Sequence, residues 1–202
     1  MSSNFVAAID LGSNSFHMIV ARISNGHVQI LDRLREMVQL AAGLDRHHRL
    51  SAESQQRALD CLARFGQRLR HIPSARLRIV GTNTLRQARN SAGFVARAEQ
   101  LLGHRVEIVS GQEEARLIYL GVAHSVGDVA TQRLVVDIGG GSTELIIGEQ
   151  FDPLHLASLR MGCVSLTRAC FTDGRITAAR LRKAELLVQL SLEPVREEYL
   201  VR

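Results

Sequence analysis

Asp137-Ile138-Gly139-Gly140-Gly141-Ser142-Thr143-Glu144 decides how this chain folds. Apolar residues from Leu134 to Ile138 run into the glycines and Leu145 to Ile147 run out of them, the pattern of two antiparallel strands joined by a turn. A shift of 127 residues lays Asp10-Leu11-Gly12-Ser13-Asn14-Ser15 on Asp137-Ile138-Gly139-Gly140-Gly141-Ser142, with apolar residues in register on both sides. Chance likeness of two glycine-containing turns is the alternative. Against it, Asp, Gly and Ser recur at fixed places together with their flanking strands. One hairpin used twice implies two lobes with a pseudo-two-fold cleft between them.

Working outward from the first copy, Phe5 to Ile9 and Met18 to Val20 are its strands, and Val28, Ile30 and Leu31, then Val38 and Leu40, continue the β pattern. From Ala52 the rhythm changes: Leu59, Leu62, Phe65 and Leu69 recur at helical steps behind Ser51, a cap residue, which predicts a helix over 52–70. A strand at Leu77 to Val80, a helix carrying Phe94 and Leu101, a strand at Val106 to Val109 and a helix opened by Ser110-Gly111-Gln112-Glu113 complete a βββαβαβα order. Ser125-Val126-Gly127-Asp128 is the candidate linker, which sets a first lobe at 1–124 and a second at 125–202. The second adds a strand near Leu154 to Leu159 and helices at 163–170 and 178–192, with Pro194 ending or kinking the last. The fold class is α/β with duplicated lobes.

Composition narrows the function. With 202 residues, 46% apolar and 22% charged, the chain can bury a core, so disorder is excluded. Lys plus Arg number 25 against 20 acids, a net charge of +5 that favours an anionic partner. Lys183 is the single lysine and sits in a helical run, which excludes a Walker-type phosphate loop. Cys61, Cys163 and Cys170 form no C-x-x-C pair, and an odd count argues against a disulfide framework. No leader and no apolar stretch of membrane-spanning length is visible, so a soluble cytoplasmic protein is expected. Scarce aromatic residues and dispersed basic charge argue against nucleic acid.

The turns point to phosphate. Gly139, Gly140 and Gly141 allow successive N–H groups to converge on one oxyanion, with Ser142 and Thr143 adding hydroxyls; Gly12, Ser13, Asn14 and Ser15 form a weaker version. A plain hairpin turn is the competing reading. A dinucleotide-binding loop is not, because the chain continues from Ser142 as a β run where that motif requires a helix. Asp137 and Glu144 flank the turn, with Asp10 supplied by the other lobe. Two carboxylates ~5 Å apart repel by about 3 kcal/mol at an effective dielectric near 20, a conflict that a divalent cation resolves. Oxygen donors suit magnesium, manganese or calcium, and magnesium is usual where phosphate shares the shell. The alternative for Glu144 is a solvated strand residue.

Ser110 and Glu113 fit a capping box, which makes Glu113 structural and leaves its neighbour Glu114 as the candidate general base; acids favoured by the helix dipole are the bland alternative. Arg86, at the carboxyl end of the 77–80 strand, is the candidate phosphate clamp, while Arg89 reads as a solvated charge. The eight histidines show no ligand spacing and receive no role.

These segments together resemble the exopolyphosphatase and guanosine pentaphosphate phosphohydrolase family of the actin-like, ribonuclease H-like superfamily. The likeness rests on Ala8 to His17, on Gly81-Thr82 with Thr84-Leu85-Arg86, on Ser110-Gly111 with Glu113 to Arg116, on Asp137 to Glu144 and on Met161-Gly162-Cys163-Val164-Ser165, in family order. The resemblance implies an actin-like fold with an incomplete second lobe. It implies Glu114 as catalytic base, Asp137 and Glu144 as magnesium-associated acids, and both turns as loops that hold a phosphate chain. It implies release of orthophosphate from inorganic polyphosphate with magnesium, with the 5′-triphosphate of guanosine pentaphosphate as the alternative substrate and a homodimer in a longer parent. Two rivals stay open: a small-molecule kinase using ATP, and a non-catalytic sensor of polyphosphate or guanosine tetraphosphate.

Overall fold

A computed structural model describes residues 4–126 and 132–200, and its residues divide into two compact units, Met1–Val109 and Ser110–Arg202. The first unit is built on a five-stranded sheet in the order β3-β2-β1-β4-β5. Strands β1 (Phe5–Leu11), β2 (Phe16–Ser24) and β3 (His27–Glu36) form an antiparallel meander, and β4 (Leu77–Gly81) and β5 (Glu107–Ile108) join the other edge of β1 in parallel. Alternation along β1 buries Ala7, Ile9 and Leu11 on one face. Helix α1 (Ala52–Leu69) covers that face with Leu62, Phe65 and Leu69, each of which contributes roughly 2–3 kcal/mol by burial. Its cap is the predicted one, since the Ser51 hydroxyl accepts from the Ser54 amide. Short α2 (Asn83–Gln87) and α3 (Ser91–Leu102) follow β4, and α3 packs beside α1 through Phe94 and Ala98.

Val38 and Leu40 do not continue the sheet as expected. They are buried from a loop in which Gln39 takes a left-handed backbone (φ 52°), so both apolar side chains point inward without a strand. That conformation is uncommon for a residue with a Cβ. It is held by the Gln39 amide donating to the Asn14 carbonyl at 2.7 Å.

The second unit is an antiparallel meander of β6 (Gln132–Ile138), β7 (Thr143–Glu149) and β8 (Asp152–Leu159). Helix α4 (Gly111–Val126) lies on one face, where Ala115, Tyr119 and Ala123 pack against Val135 and Ile146. Their spacing of four puts all three on one helix stripe. The compact units therefore part ahead of α4, whereas the sequence expectation placed α4 in the first lobe with a boundary at 124. Ser125 and Val126 of the expected linker belong to α4, and 127–128 lie outside the described residues. Helices α5 (Cys163–Cys170), α6 (Ala178–Leu192) and α7 (Arg196–Leu200) follow, with a 3-10 turn at Glu193–Val195 where Pro194 interrupts the helix. Among the described residues no helix is long and apolar enough to cross a membrane.

The two hairpins share one register. Asp10 pairs His17 and Leu11 pairs Phe16 in the first; Asp137 pairs Glu144 and Ile138 pairs Thr143 in the second, each position displaced by the same 127 residues. Their surroundings differ. Ala7, Ile9 and Leu11 are buried, while their counterparts Leu134, Val136 and Ile138 are 58%, 50% and 68% exposed on a strand paired only with β7 among the described residues.

Candidate active site

The second turn is fixed from behind by α5. The amides of Cys163, Val164 and Ser165, donors that a helix start leaves without intrahelical partners, donate to the Gly139 and Gly140 carbonyls at 3.0, 2.9 and 3.2 Å. In a trans peptide the N–H points opposite to the C=O, so the amides of Gly140 and Gly141 are directed away from α5. Neither has a backbone acceptor among the described residues. Two neighbouring donors directed the same way suit an anionic oxygen. The turn is closed by the Gly139 amide donating to the Ser142 carbonyl at 2.9 Å. Gly162 is required for the fit: a Cβ there would lie 2.6 Å from the Gly140 carbonyl carbon and 2.7 Å from both turn oxygens. The Met161 to Ser165 motif thus acts as the support of the turn.

On the face under α4, the registers of β6, β7 and β8 align Asp137, Glu144 and Ser158 in one row. Glu144 is 1% exposed, and its Oε1 accepts from the Ser158 hydroxyl at 2.8 Å. Burial pushes its carboxyl up to about 7; the negative charges of Glu114 and Asp137 push the same way, and the Ser158 and Ser142 hydroxyls oppose them. Glu114, half-buried in the first turn of α4, acts on Glu144 through its charge. Glu113 starts the helix as expected, its amide donating to the Ser110 hydroxyl at 3.1 Å, but both oxygens of its carboxylate accept from Arg116.

The second unit thus brings together Glu114, Asp137, Glu144, Gly139, Gly140, Gly141, Ser142 and Thr143. The hydroxyls have definite partners: Ser142 bonds Glu144, and Thr143 donates to the Met161 carbonyl at 2.7 Å, which takes its hydrogen away from any ligand. Among the described residues no group of three His, Cys, Asp or Glu side chains is arranged to hold a metal. Asp137 and Glu144 offer hard oxygen donors, and the charges of Glu114 and Asp137 work against ionisation of Glu144, a conflict that a divalent cation would relieve.

Asp10, Gly12, Ser13, Asn14, Ser15 and Arg86 belong to the first unit. There the Ser13 and Asn14 carbonyls accept from the Ala41 and Gln39 amides at 2.9 and 2.7 Å, so the Asn14 and Ser15 amides face the other way. Ser13 Oγ accepts from Thr84 Oγ1 at 2.8 Å, tying the turn to α2. Arg86 Nη1 donates to the Val109 carbonyl at 2.9 Å. Exposed Arg89 matches its reading as a surface charge.

Two further residues belong to these turns. Ser158 reaches Glu144 only through the register of β8, which nothing local announces. His17 was detectable, since the 127-residue shift lays it on Glu144; its Nε2 lies 2.8 Å from Ser15 Oγ.

Residues 19–202 match the Ppx/GppA phosphatase family. The chain belongs to that family. Among curated Ppx/GppA-type relatives, the guanosine-5′-triphosphate,3′-diphosphate pyrophosphatase of Vibrio cholerae is 51% identical over 98% of this chain and 40% of its own length. That of Aliivibrio fischeri is 49% identical over 98% and 39%. The chain therefore spans about two fifths of these relatives. Among solved structures, an exopolyphosphatase from Cytophaga hutchinsonii is 27% identical with a TM-score of 0.89, over 96% of this chain and 62% of the other. The Ppx/GppA enzyme of Aquifex aeolicus is 28% identical with a TM-score of 0.77, over 95% and 64%. The α/β architecture is the actin-like fold of the Ppx/GppA family.

Proposed function

We propose that this protein is a phosphoanhydride hydrolase that removes the 5′-terminal phosphate of guanosine pentaphosphate. The Vibrio and Aliivibrio relatives carry that substrate class in their names. They move the expectation from inorganic polyphosphate, which the motifs put first, to the guanosine compound placed second. The observation that carries the chemistry is the Asp137–Glu144–Ser158 row, set in one compact unit with Glu114 and the outward amides of Gly140 and Gly141.

In this reading the Gly140 and Gly141 amides hold oxygens of the terminal phosphoryl group. The turn at Gly12 to Ser15 holds oxygens of a phosphate chain, with Arg86 as a clamp. Glu114 orients a water in line with the terminal phosphorus and takes its proton as the new P–O bond forms, while the bridging oxygen departs with the shortened nucleotide. Because the transition state is loose, most of the acceleration comes from positioning and charge neutralisation rather than from the base. Asp137 and Glu144 would hold magnesium, whose contribution is to offset phosphate charge.

Polyphosphate remains a second reading, supported by the Cytophaga exopolyphosphatase neighbour and by turns that recognise phosphate rather than a base. Phosphate release from guanosine pentaphosphate, long-chain polyphosphate and ATP, each with and without magnesium, tests the proposal. Fastest magnesium-dependent release from the guanosine compound is expected. Faster release from polyphosphate selects the second reading, acceptor-dependent loss of ATP selects the kinase rival, and tight binding without release selects the sensor.

A further inference from the structure

The duplication extends to side-chain chemistry. Ser15 Oγ bonds His17 Nε2 in the first turn and the Ser142 hydroxyl bonds Glu144 in the second, at positions related by the same 127-residue shift. The cross-strand partners correspond as well, Asp10 to Asp137. Yet the carboxyl of one copy is an imidazole in the other. We propose that His17 is a positioning residue that acts through Ser15 and makes the first turn a dedicated anion holder. This rests on the reading of Gly12 to Ser15 as a phosphate turn.

A hydroxyl has one hydrogen to give. The Ser142 hydroxyl favours the ionised form of Glu144, and to that form it gives its hydrogen and presents lone pairs to any ligand. An imidazole whose Nε2 carries hydrogen does the reverse: it donates to Ser15 Oγ and leaves the Ser15 hydrogen for a phosphoryl oxygen. An anion selects that tautomer, because the other would present an oxygen lone pair to a negative charge. Ser13 is set the same way, since it already accepts from Thr84 and has its own hydrogen to give. The first turn therefore offers two hydroxyl donors beside the outward Asn14 and Ser15 amides, whereas the second couples its amides to acids.

The test is binding of inorganic tripolyphosphate by calorimetry to the unaltered protein and to His17→Gln, His17→Leu, His17→Glu, Ser15→Ala and Ser15→Ala/His17→Leu, with thermal melts to show that each is folded. A glutamine amide can donate to Ser15 and should keep affinity within about threefold. Leucine should weaken it about fivefold, the usual size of one lost hydrogen bond between neutral groups. Glutamate should weaken it further, because it draws the Ser15 hydrogen away as Glu144 does with Ser142. In the Ser15→Ala background the leucine change should cost nothing more. If Ser15→Ala alone leaves affinity unchanged, the phosphate reading of the turn fails. If Ser15→Ala weakens binding but the His17 variants fall out of this order, or the leucine cost persists without Ser15, the positioning role is overturned.

Discussion

Ser158 donates its hydroxyl hydrogen to Glu144 Oε1 at 2.8 Å from the strand on the far side of β7 from Asp137. Glu144 is thus held between an acid and a hydroxyl in a buried row, and its carboxyl, raised to about 7, keeps a proton well above the ordinary range of a glutamate.

That shift has a direction in stability. The folded protein binds the Glu144 proton more tightly than the unfolded chain does, so folding loses free energy as pH rises from the ordinary value near 4.5 through about 7. The loss is on the order of 3 kcal/mol for a group this buried. Glu144→Gln, which cannot ionise, should therefore melt several degrees higher than the unaltered protein at pH 8 and close to it at pH 4, while turnover is lost. Ser158→Ala removes a bond that favours the ionised form and should steepen the decline. Thermal melts across pH 4 to 8 decide it, and equal melting of Glu144→Gln and the unaltered protein at pH 8 would refute the buried-acid account.

Glu114→Gln should abolish turnover and leave guanosine pentaphosphate binding within a few fold, because the amide keeps the side chain's shape and loses its basicity. It should also lower the Glu144 pKa, since the Glu114 charge is one of the causes that raise it. Single-turnover phosphate release together with the melting profile reads both effects. Retained turnover would remove Glu114 from the reaction.

Gly162→Ala should destabilise by about 1–3 kcal/mol, the usual cost of forcing a methyl into a packed site. The nearest atoms are turn backbone at 2.6–2.7 Å, which cannot swing aside as a flexible side chain could. The relief available is movement of the Gly139–Gly140 peptide off the α5 amides, which turns the anion-facing N–H groups. Activity should therefore fall more than stability alone explains, and activity measured well below the melting temperature shows whether it does.

Features set by neighbouring residues were legible in the sequence. The Ser51 cap, the apolar stripe of α1, the limits of α6 and both glycine turns depend on a few adjacent side chains and backbone sterics, and each lies where the pattern puts it. Features set by long-range packing were not. Val38 and Leu40 alternate like a strand because a left-handed residue between them points both inward, which alternation alone cannot distinguish. The stripe on α4 announces a helix with one buried face but not which sheet covers it. Ser158 has no local mark, since its place beside Glu144 comes from the register of β8, which includes an irregularity between Ile147 and Gly148. His17 was legible once the repeat was followed past the turn into the returning strand.

The uncovered face of β6 makes the last prediction. β1 is hydrogen-bonded along both edges, to β2 and β4, and its Ala7, Ile9 and Leu11 are sealed in the core. β6 pairs with β7 alone among the described residues, and the matching Leu134, Val136 and Ile138 stand in solvent. Backbone amides at such an edge open without breaking a core, so exchange with solvent does not wait for global unfolding. Amides of β6 that point away from β7 should exchange at least about tenfold faster than their counterparts 127 residues earlier in β1. Mass-spectrometric or NMR hydrogen exchange on the 202-residue chain measures the two strands side by side. Equal protection would mean that something covers the β6 edge in solution. Replacing Val136 with threonine should leave the melting temperature within about 2 °C, because a half-exposed side chain contributes little to the core. The matching Ile9→Thr change, in a fully buried position, should cost several kcal/mol and lower it far more.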